Sequence, residues 1–136
     1  MFNPLVSIIV RTKNEDFWIG KCLNEIFNQQ YKKFEVILVD NNSKDKTIGI
    51  VKKNFPSVKI VNYKSKTFLP GKALNLGIQK STGSLIAMIS GHCIPKNNNW
   101  LKNLVQNFKN SNVIGCYGRQ EPSDISEPND VRDLTY

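Results

Sequence analysis

The chain has 136 residues, 40% hydrophobic and 22% charged, the proportions of one ordinary globular domain with enough surface to bury a core. Its net charge is +8, and its three cysteines lack Cys-x-x-Cys spacing, which favours reduced thiols over a disulfide framework. No apolar run approaches the roughly 20 residues that cross a bilayer. Leu5 to Val10 is too short for a secretory leader and has no basic residue before it, so a cytoplasmic location is expected.

The charge is uneven. Residues 41–80 hold nine lysines against Asp45 alone, a pattern suited to a phosphorylated ligand or an anionic membrane surface, and equally to a solvated lysine face. No basic–aromatic interleaving accompanies the lysines, so nucleic acid is not expected as a partner. From Glu121 to Tyr136 the sign reverses, with five acids against Arg132.

Leu5 to Val10 is rich in β-branched residues and predicts a strand. After the polar cluster Arg11 to Asp16, the spacing of Ile19, Cys22, Leu23, Ile26 and Phe27 predicts a helix with one buried face. Asn14 or a neighbour is its expected N-cap, with acids in the first turn. Phe34 to Val39 predicts a second strand, ending on Asp40-Asn41-Asn42-Ser43. Ser43 or Asp45 suits the cap of a helix that runs to about Asn54, before Pro56. Val58 to Val61 predicts a short third strand, and a lysine-bearing loop leads to a helix from about Gly71 to Lys80 with Ala73, Leu74, Gly77 and Ile78 inward.

Leu85 to Ile89 is a run of five apolar residues, the pattern of a strand buried on both faces, and it breaks into Ser90-Gly91-His92-Cys93. His92 is the only histidine. Asn97 to Asn99 offer caps for a helix carrying Trp100, Leu101, Leu104, Val105 and Phe108, and Val113 to Gly118 predicts a fifth strand. This alternation implies a mostly parallel sheet with right-handed crossovers and helices on both faces. Such sheets bind ligands beyond the carboxyl ends of their strands, so the clusters 12–15, 40–43 and 90–92 are expected on one rim. A Gly-x-Gly-x-x-Gly turn, a phosphate-binding P-loop and a Gly-x-Ser-x-Gly elbow are all missing, which argues against a dinucleotide oxidoreductase, a P-loop ATPase and an esterase.

Three stretches, Val-Ser-Ile-Ile-Val-Arg-Thr-Lys-Asn-Glu at 6–15, Val-Ile-Leu-Val-Asp-Asn-Asn-Ser-Lys-Asp-Lys-Thr at 36–47 and Gly-Lys-Ala-Leu-Asn-Leu-Gly-Ile at 71–78, resemble the family 2 glycosyltransferases. In order and at the family's spacing, the match runs from about Val6 to Gln120. It implies a Rossmann-like GT-A fold, UDP-sugar binding, inversion, and a polysaccharide or glycolipid acceptor. By this resemblance Thr12 and Glu15 hold nucleobase and ribose, with Asn14 beside them. Asp40 accepts the uracil N3–H, or caps its own loop. Asn42 belongs to the same loop, and Ser43 meets the ribose or caps the next helix. Lys72 and Asn75 line the donor pocket.

The family usually carries Asp-x-Asp where this chain has Ser90-Gly91-His92. Ser90 supplies no carboxylate, and Ser90 and Gly91 are left as donor-pocket residues. His92 then takes the metal-ligand position, for Mn²⁺ or Mg²⁺ with Mn²⁺ favoured by an imidazole ligand. A zinc site from His92, Cys93 and Cys116 is a weaker alternative. No residue matches the family's catalytic base, Glu121 and Asp124 being the nearest acids. The expected organisation is a donor-binding domain over residues 1–120, followed by a polar tail or the start of an acceptor-side region over 121–136. Peripheral attachment at the inner face of the membrane fits a lipid-linked acceptor. The rival reading is a nucleotide-sugar-binding or interaction module without catalysis.

Overall fold

The computed structural model describes residues 1–67 and 69–125. Its elements alternate as β1 (Val6–Thr12), α1 (Ile19–Phe27), β2 (Phe34–Asp40), α2 (Thr47–Asn54), β3 (Lys59–Asn62), α3 (Pro70–Gln79), β4 (Leu85–Ser90) and α4 (Trp100–Asn107). The four strands form one sheet in the order β3-β2-β1-β4, and every pairing is parallel. The α/β class with a parallel sheet is as expected.

Side-chain alternation along the central strands sends their apolar residues to opposite faces. Val6, Ile8 and Val10 of β1, with Val36 and Leu38 of β2, pack beneath Ile19, Cys22, Leu23 and Ile26 of α1, Val51 of α2, and Leu101 and Val105 of α4. On the other face Ile9, Ile37 and Val39 meet Ala73 of α3, flanked by Leu74, Leu76 and Ile86. Each fully buried Ile, Leu or Val contributes about 1.5–3 kcal/mol, so the continuous apolar runs of β1 and β2 supply much of the core. Among the described residues no helix is long and apolar enough to cross a membrane.

Three expectations fail in detail. β4 is not buried on both faces: it is an edge strand of the sheet, and Met88 is 56% exposed. Ile78 is 40% exposed, because α3 meets the sheet through Ala73 and Gly77, with Leu74 and Leu76 at its flanks. Val113 to Gly118 does not form a fifth strand, and Ile114 and Tyr117 are almost fully exposed. A β-prone sequence becomes a strand only when a neighbour completes its hydrogen-bond ladder, and none of the described residues does so here.

At the amino end of the sheet, buried Ser7 donates its hydroxyl to Glu35 Oε1 at 2.6 Å and accepts the Gly83 N–H at 2.8 Å. The same Glu35 oxygen accepts the Thr82 amide at 2.6 Å, so the turn into β4 is bound to both β1 and β2. Close approach at Gly77 fixes the other face. A Cβ there would lie 2.5 Å from Ile9 Cγ2 and 3.0 Å from Val39 Cγ2. Gly77→Ala is therefore expected to lose about 1–3 kcal/mol despite alanine's better helix propensity, seen as a lower urea midpoint at unchanged m-value.

Candidate functional site

Register places the strand exits on one rim. Thr12 pairs with Asp40, Arg11 with Ser90, and Asp40 with Asn62. Beyond β1 the chain does not enter α1 at once. Asn14 adopts a left-handed φ of 54°, as does Asn42 after β2 at 56°, a conformation that asparagine tolerates better than most residues. These two turns let the loops lie side by side.

Hydrogen bonds then join them. The Asn41 amide donates to Thr12 O at 2.9 Å. The Asn14 amide donates to Ser43 Oγ at 2.8 Å, and Asn14 Oδ1 accepts the Lys44 amide at 2.8 Å. The Glu15 amide donates to Thr47 Oγ1 at 2.8 Å, and the Asp16 amide to Asp45 Oδ2 at 3.0 Å. Buried Asp40 orients the central member: its carboxylate accepts the Ser43 amide at 3.0 Å and the Ser43 hydroxyl at 2.5 Å. With its proton given to Asp40, the Ser43 oxygen is free to accept from Asn14.

Several capping expectations change accordingly. Asn14 binds the neighbouring loop instead of capping α1, which starts at Ile19 with no acid in its first turn. Ser43 serves Asn14 and Asp40, and Asp45 takes over at α2, accepting the Thr47 amide at 3.0 Å. Burial raises the Asp45 carboxyl, but hydrogen bonds from Thr47 and from the Asp16 amide outweigh that effect and hold it below the ordinary aspartate value.

A recess of about 230 Å³ opens at the carboxyl ends of β1 and β4, lined by Arg11, Thr12, Lys13, Glu15, Ser90 and His92. His92 stands at its edge with Nδ1 2.8 Å from Glu15 Oε1. The turn carrying it is pinned to β1, since the Gly91 amide donates to Arg11 O at 2.9 Å. A Cβ on Gly91 would fall 3.0 Å from Thr12 Oγ1, so this close approach suits glycine. A larger groove of about 380 Å³, lined by residues that include Phe2, Tyr31, Lys102 and Val105, lies away from the strand exits and carries none of these groups.

Thr12, Glu15 and Ser90, with His92, thus share the recess. Asp40 and Ser43 hold the adjoining loop, and Gly91 packs on Thr12. Asn14 and Asn42 shape the turns. Lys72 and Asn75 are exposed on α3, outside the recess lining. Arg11, Lys13 and Asn41 are rim residues that the sequence did not single out. Their signal was only membership of polar runs, which do not reveal who is buried. Thr12 Oγ1 and Asn41 Nδ2 are buried without a hydrogen-bond partner.

Among the described residues no three His, Cys, Asp or Glu side chains gather around a common point, which removes the zinc alternative. Cys22, deep in the core, has its thiol pushed up to about 12 by burial, helped by nearby Cys93 and Glu15, and supplies no thiolate. Glu121 pairs with Lys96, whose hydrogen bond and charge hold its carboxyl below the ordinary value, the opposite of what a general base needs. Neither Glu121 nor Asp124 lines the recess.

A polar recess beyond the carboxyl ends of a parallel α/β sheet lies where such folds bind ligands. Residues 7–135 match the glycosyl transferase family 2, and the chain belongs to that family. A dolichyl N-acetyl-alpha-D-glucosaminyl phosphate 3-beta-D-2,3-diacetamido-2,3-dideoxy-beta-D-glucuronosyltransferase of Methanococcus voltae is 35% identical over 76% of this chain and 34% of its own. Glycosyltransferase AglE of Haloferax volcanii is 33% identical over 81% of this chain and 37% of its own. The chain thus spans about a third of the length of these relatives. Among solved structures, mannosyltransferase PcManGT from Pyrobaculum calidifontis, in complex with GDP-Man and Mn²⁺, superposes with a TM-score of 0.71 at 27% identity, covering 78% of this chain and 32% of that one. TarS from S. aureus, in complex with UDP-GlcNAc, gives 0.69 at 28% identity, over 77% and 31%.

Two outcomes follow from this geometry. Thr12→Val removes a hydroxyl that is buried and unpaired, so stability should stay within about 1 kcal/mol or rise in urea titrations. Asp45, with its carboxyl lowered on folding, stabilises the loops fully above its ordinary value of 3.8 and loses that contribution as pH falls through the lowered one. Urea midpoints between about pH 2 and 6 should therefore drop on the acid side, and Asp45→Asn should make that drop shallower.

Proposed function

We propose that this chain is the donor-binding portion of an inverting glycosyltransferase that takes its sugar from a UDP-sugar. The observation that carries this reading is the recess at the strand exits, where Arg11 and Lys13 bring positive charge beside His92 and Ser90. A diphosphate suits such a wall. The unpaired Thr12 hydroxyl has the most to gain from a polar ligand, since a buried hydroxyl without a partner costs about 1–3 kcal/mol. Asp40 is already engaged by Ser43, yet each carboxylate oxygen keeps a second lone pair for the uracil N3–H. Residues 1–120 form the donor-binding unit, and 121–136 begin the acceptor side, 126–136 lying outside the described residues.

A divalent metal would find one protein ligand here, His92, since no three His, Cys, Asp or Glu side chains gather among the described residues, and the diphosphate would have to complete its shell. His92 is half exposed at the recess, and with Nδ1 turned to Glu15 its Nε2 is the nitrogen left for a ligand. Neutral imidazole suits Mn²⁺ better than Mg²⁺. The metal, when bound, supplies charge that stabilises the departing diphosphate. The chain's own share is to hold the nucleotide on the rim, to bring Arg11 and Lys13 near its charge, and to present His92. The dolichyl phosphate in one relative's name supports a lipid-linked acceptor, and peripheral attachment at the inner face of a membrane belongs to the same reading. A second reading, a binding module without turnover, is favoured by one feature: Glu15 is the sole carboxylate among the recess-lining residues, and His92 engages it.

Calorimetry with UDP, with GDP as comparison, tests the donor reading. UDP should bind more tightly than GDP, more tightly with Mn²⁺ than without, and about 3–10-fold more weakly after Thr12→Val. Equal affinity for both nucleotides removes the UDP assignment, and equal affinity with and without Mn²⁺ removes the metal. Incubation with UDP-sugars separates the two readings: tight binding with neither transfer nor hydrolysis leaves the module.

A further inference from the structure

We infer that the carboxyl-end rim of the sheet docks on an anionic lipid surface, with Phe17 entering the interface and Lys46, Lys64 and Lys66 meeting lipid phosphates; this deepens the peripheral attachment proposed above. Three loops carry the rim: 13–18 after β1, 41–46 after β2 and 63–67 after β3. Hydrogen bonds tie them together, the Asp16 amide donating to Asp45 Oδ2 at 3.0 Å and the Tyr63 amide to Asp40 O at 2.7 Å. Their exposed side is amphipathic. Phe17 is 61% exposed and stands edge-on to Trp18, with ring centroids 4.8 Å apart. The Lys21 ammonium lies 4.3 Å from the Phe17 ring centroid and 5.2 Å from that of Trp18. Aromatic rings with a cation beside them suit the boundary between acyl chains and headgroups.

The lysines at the two ends of the sheet are used differently. At the amino end, the ammonium groups of Lys32, Lys33 and Lys59 donate to the carbonyls of Phe27, Asn3 and Lys80, so they serve the fold. Lys46, Lys64 and Lys66 are exposed, and among the described residues their side chains enter no hydrogen bond or ion pair. Neighbouring acids do not cancel them. Glu15 is engaged by His92, and Asp45 by the Asp16 and Thr47 amides, which leaves Asp16 as the exposed acid of these loops. Unpaired lysines on tethered loops match a surface of many phosphates, each one near an anionic leaflet adding about 5-fold to affinity. A nucleic acid would use the same charge, but Lys21 lies over the Phe17 ring, which favours insertion over base stacking. Docked this way, the recess opens at headgroup level, where a lipid-linked acceptor would lie.

The test is sedimentation of the full chain with vesicles of phosphatidylglycerol and, in parallel, of phosphatidylcholine. The chain should bind the first and not the second, and more weakly as salt rises. Lys46→Ala, Lys64→Ala and Lys66→Ala together should weaken binding about 100-fold, at about 5-fold for each lysine. Lys53→Ala, Lys80→Ala and Lys109→Ala together remove the same charge from the amino end and should change it by less than about 2-fold. Phe17→Ser should weaken it about 3–10-fold and reduce the vesicle-induced blue shift of tryptophan fluorescence. All these side chains are exposed, so urea midpoints should match that of the unaltered chain. Equal losses in the two triple variants overturn the rim assignment and leave membrane attachment standing. Unchanged binding by Phe17→Ser overturns the entry of that ring. Tighter binding of single-stranded RNA than of the vesicles in the same salt overturns the lipid partner, and no binding to phosphatidylglycerol overturns both the rim and the attachment.

Discussion

The parallel pairing of β1 with β2 on one side and β4 on the other governs everything else in this molecule. β1 is buried almost throughout, and its register sets Thr12 opposite Asp40 while Arg11 faces Ser90. In a parallel sheet all strands end on the same side, so this one register brings three polar exits together. A slip of either partner strand by one residue would exchange the side chains packed on the two faces and move the polar exits out of line. The site inherits its geometry from the core.

What the register starts, the loops complete. Left-handed asparagines at 14 and 42 turn the two exits toward each other, and backbone amides of one loop find side-chain oxygens of the other. Polar residues that looked like candidate ligand contacts are, in part, structural. Asp40 and Ser43 illustrate this: a buried carboxylate orders a hydroxyl, which orders an amide. Such a rim is preorganised, so a ligand meets donors already aimed and has less conformational entropy to remove.

Much of this was legible in the sequence. The runs of β1 and β2 and the period of α1 carried their assignments because burial on a fixed face writes directly into apolar spacing. Gly91 was legible only as a donor-pocket residue, and the structure shows that a Cβ there would meet Thr12. The remainder was hidden for separate reasons. Asn41 looks like Asn42 in sequence, yet one is buried and the other exposed, a difference decided by neighbours in β1 and in the 63–65 segment. Val113 to Gly118 has strand composition, but composition cannot supply a partner. Glu15 was read as a nucleobase or ribose contact, and its carboxylate also lies against His92, a pairing of distant residues that no local spacing encodes.

Strand order has a further consequence for how the molecule comes into being. Val6 pairs with Phe34 through one helix and two short loops, but it pairs with Leu85 only after three helices and two strands have intervened. Loop-closure entropy rises with the length closed, by about 0.6 kcal/mol per doubling, and non-local parallel pairing is the slow part of folding. The β1–α1–β2 unit therefore has the cheaper closure, and with it come Thr12, Asp40 and the hydrogen bonds that lock their loops. β4 docks against a strand already held. His92 reaches Glu15 at that step, so the rim acquires its only imidazole as the sheet itself is finished.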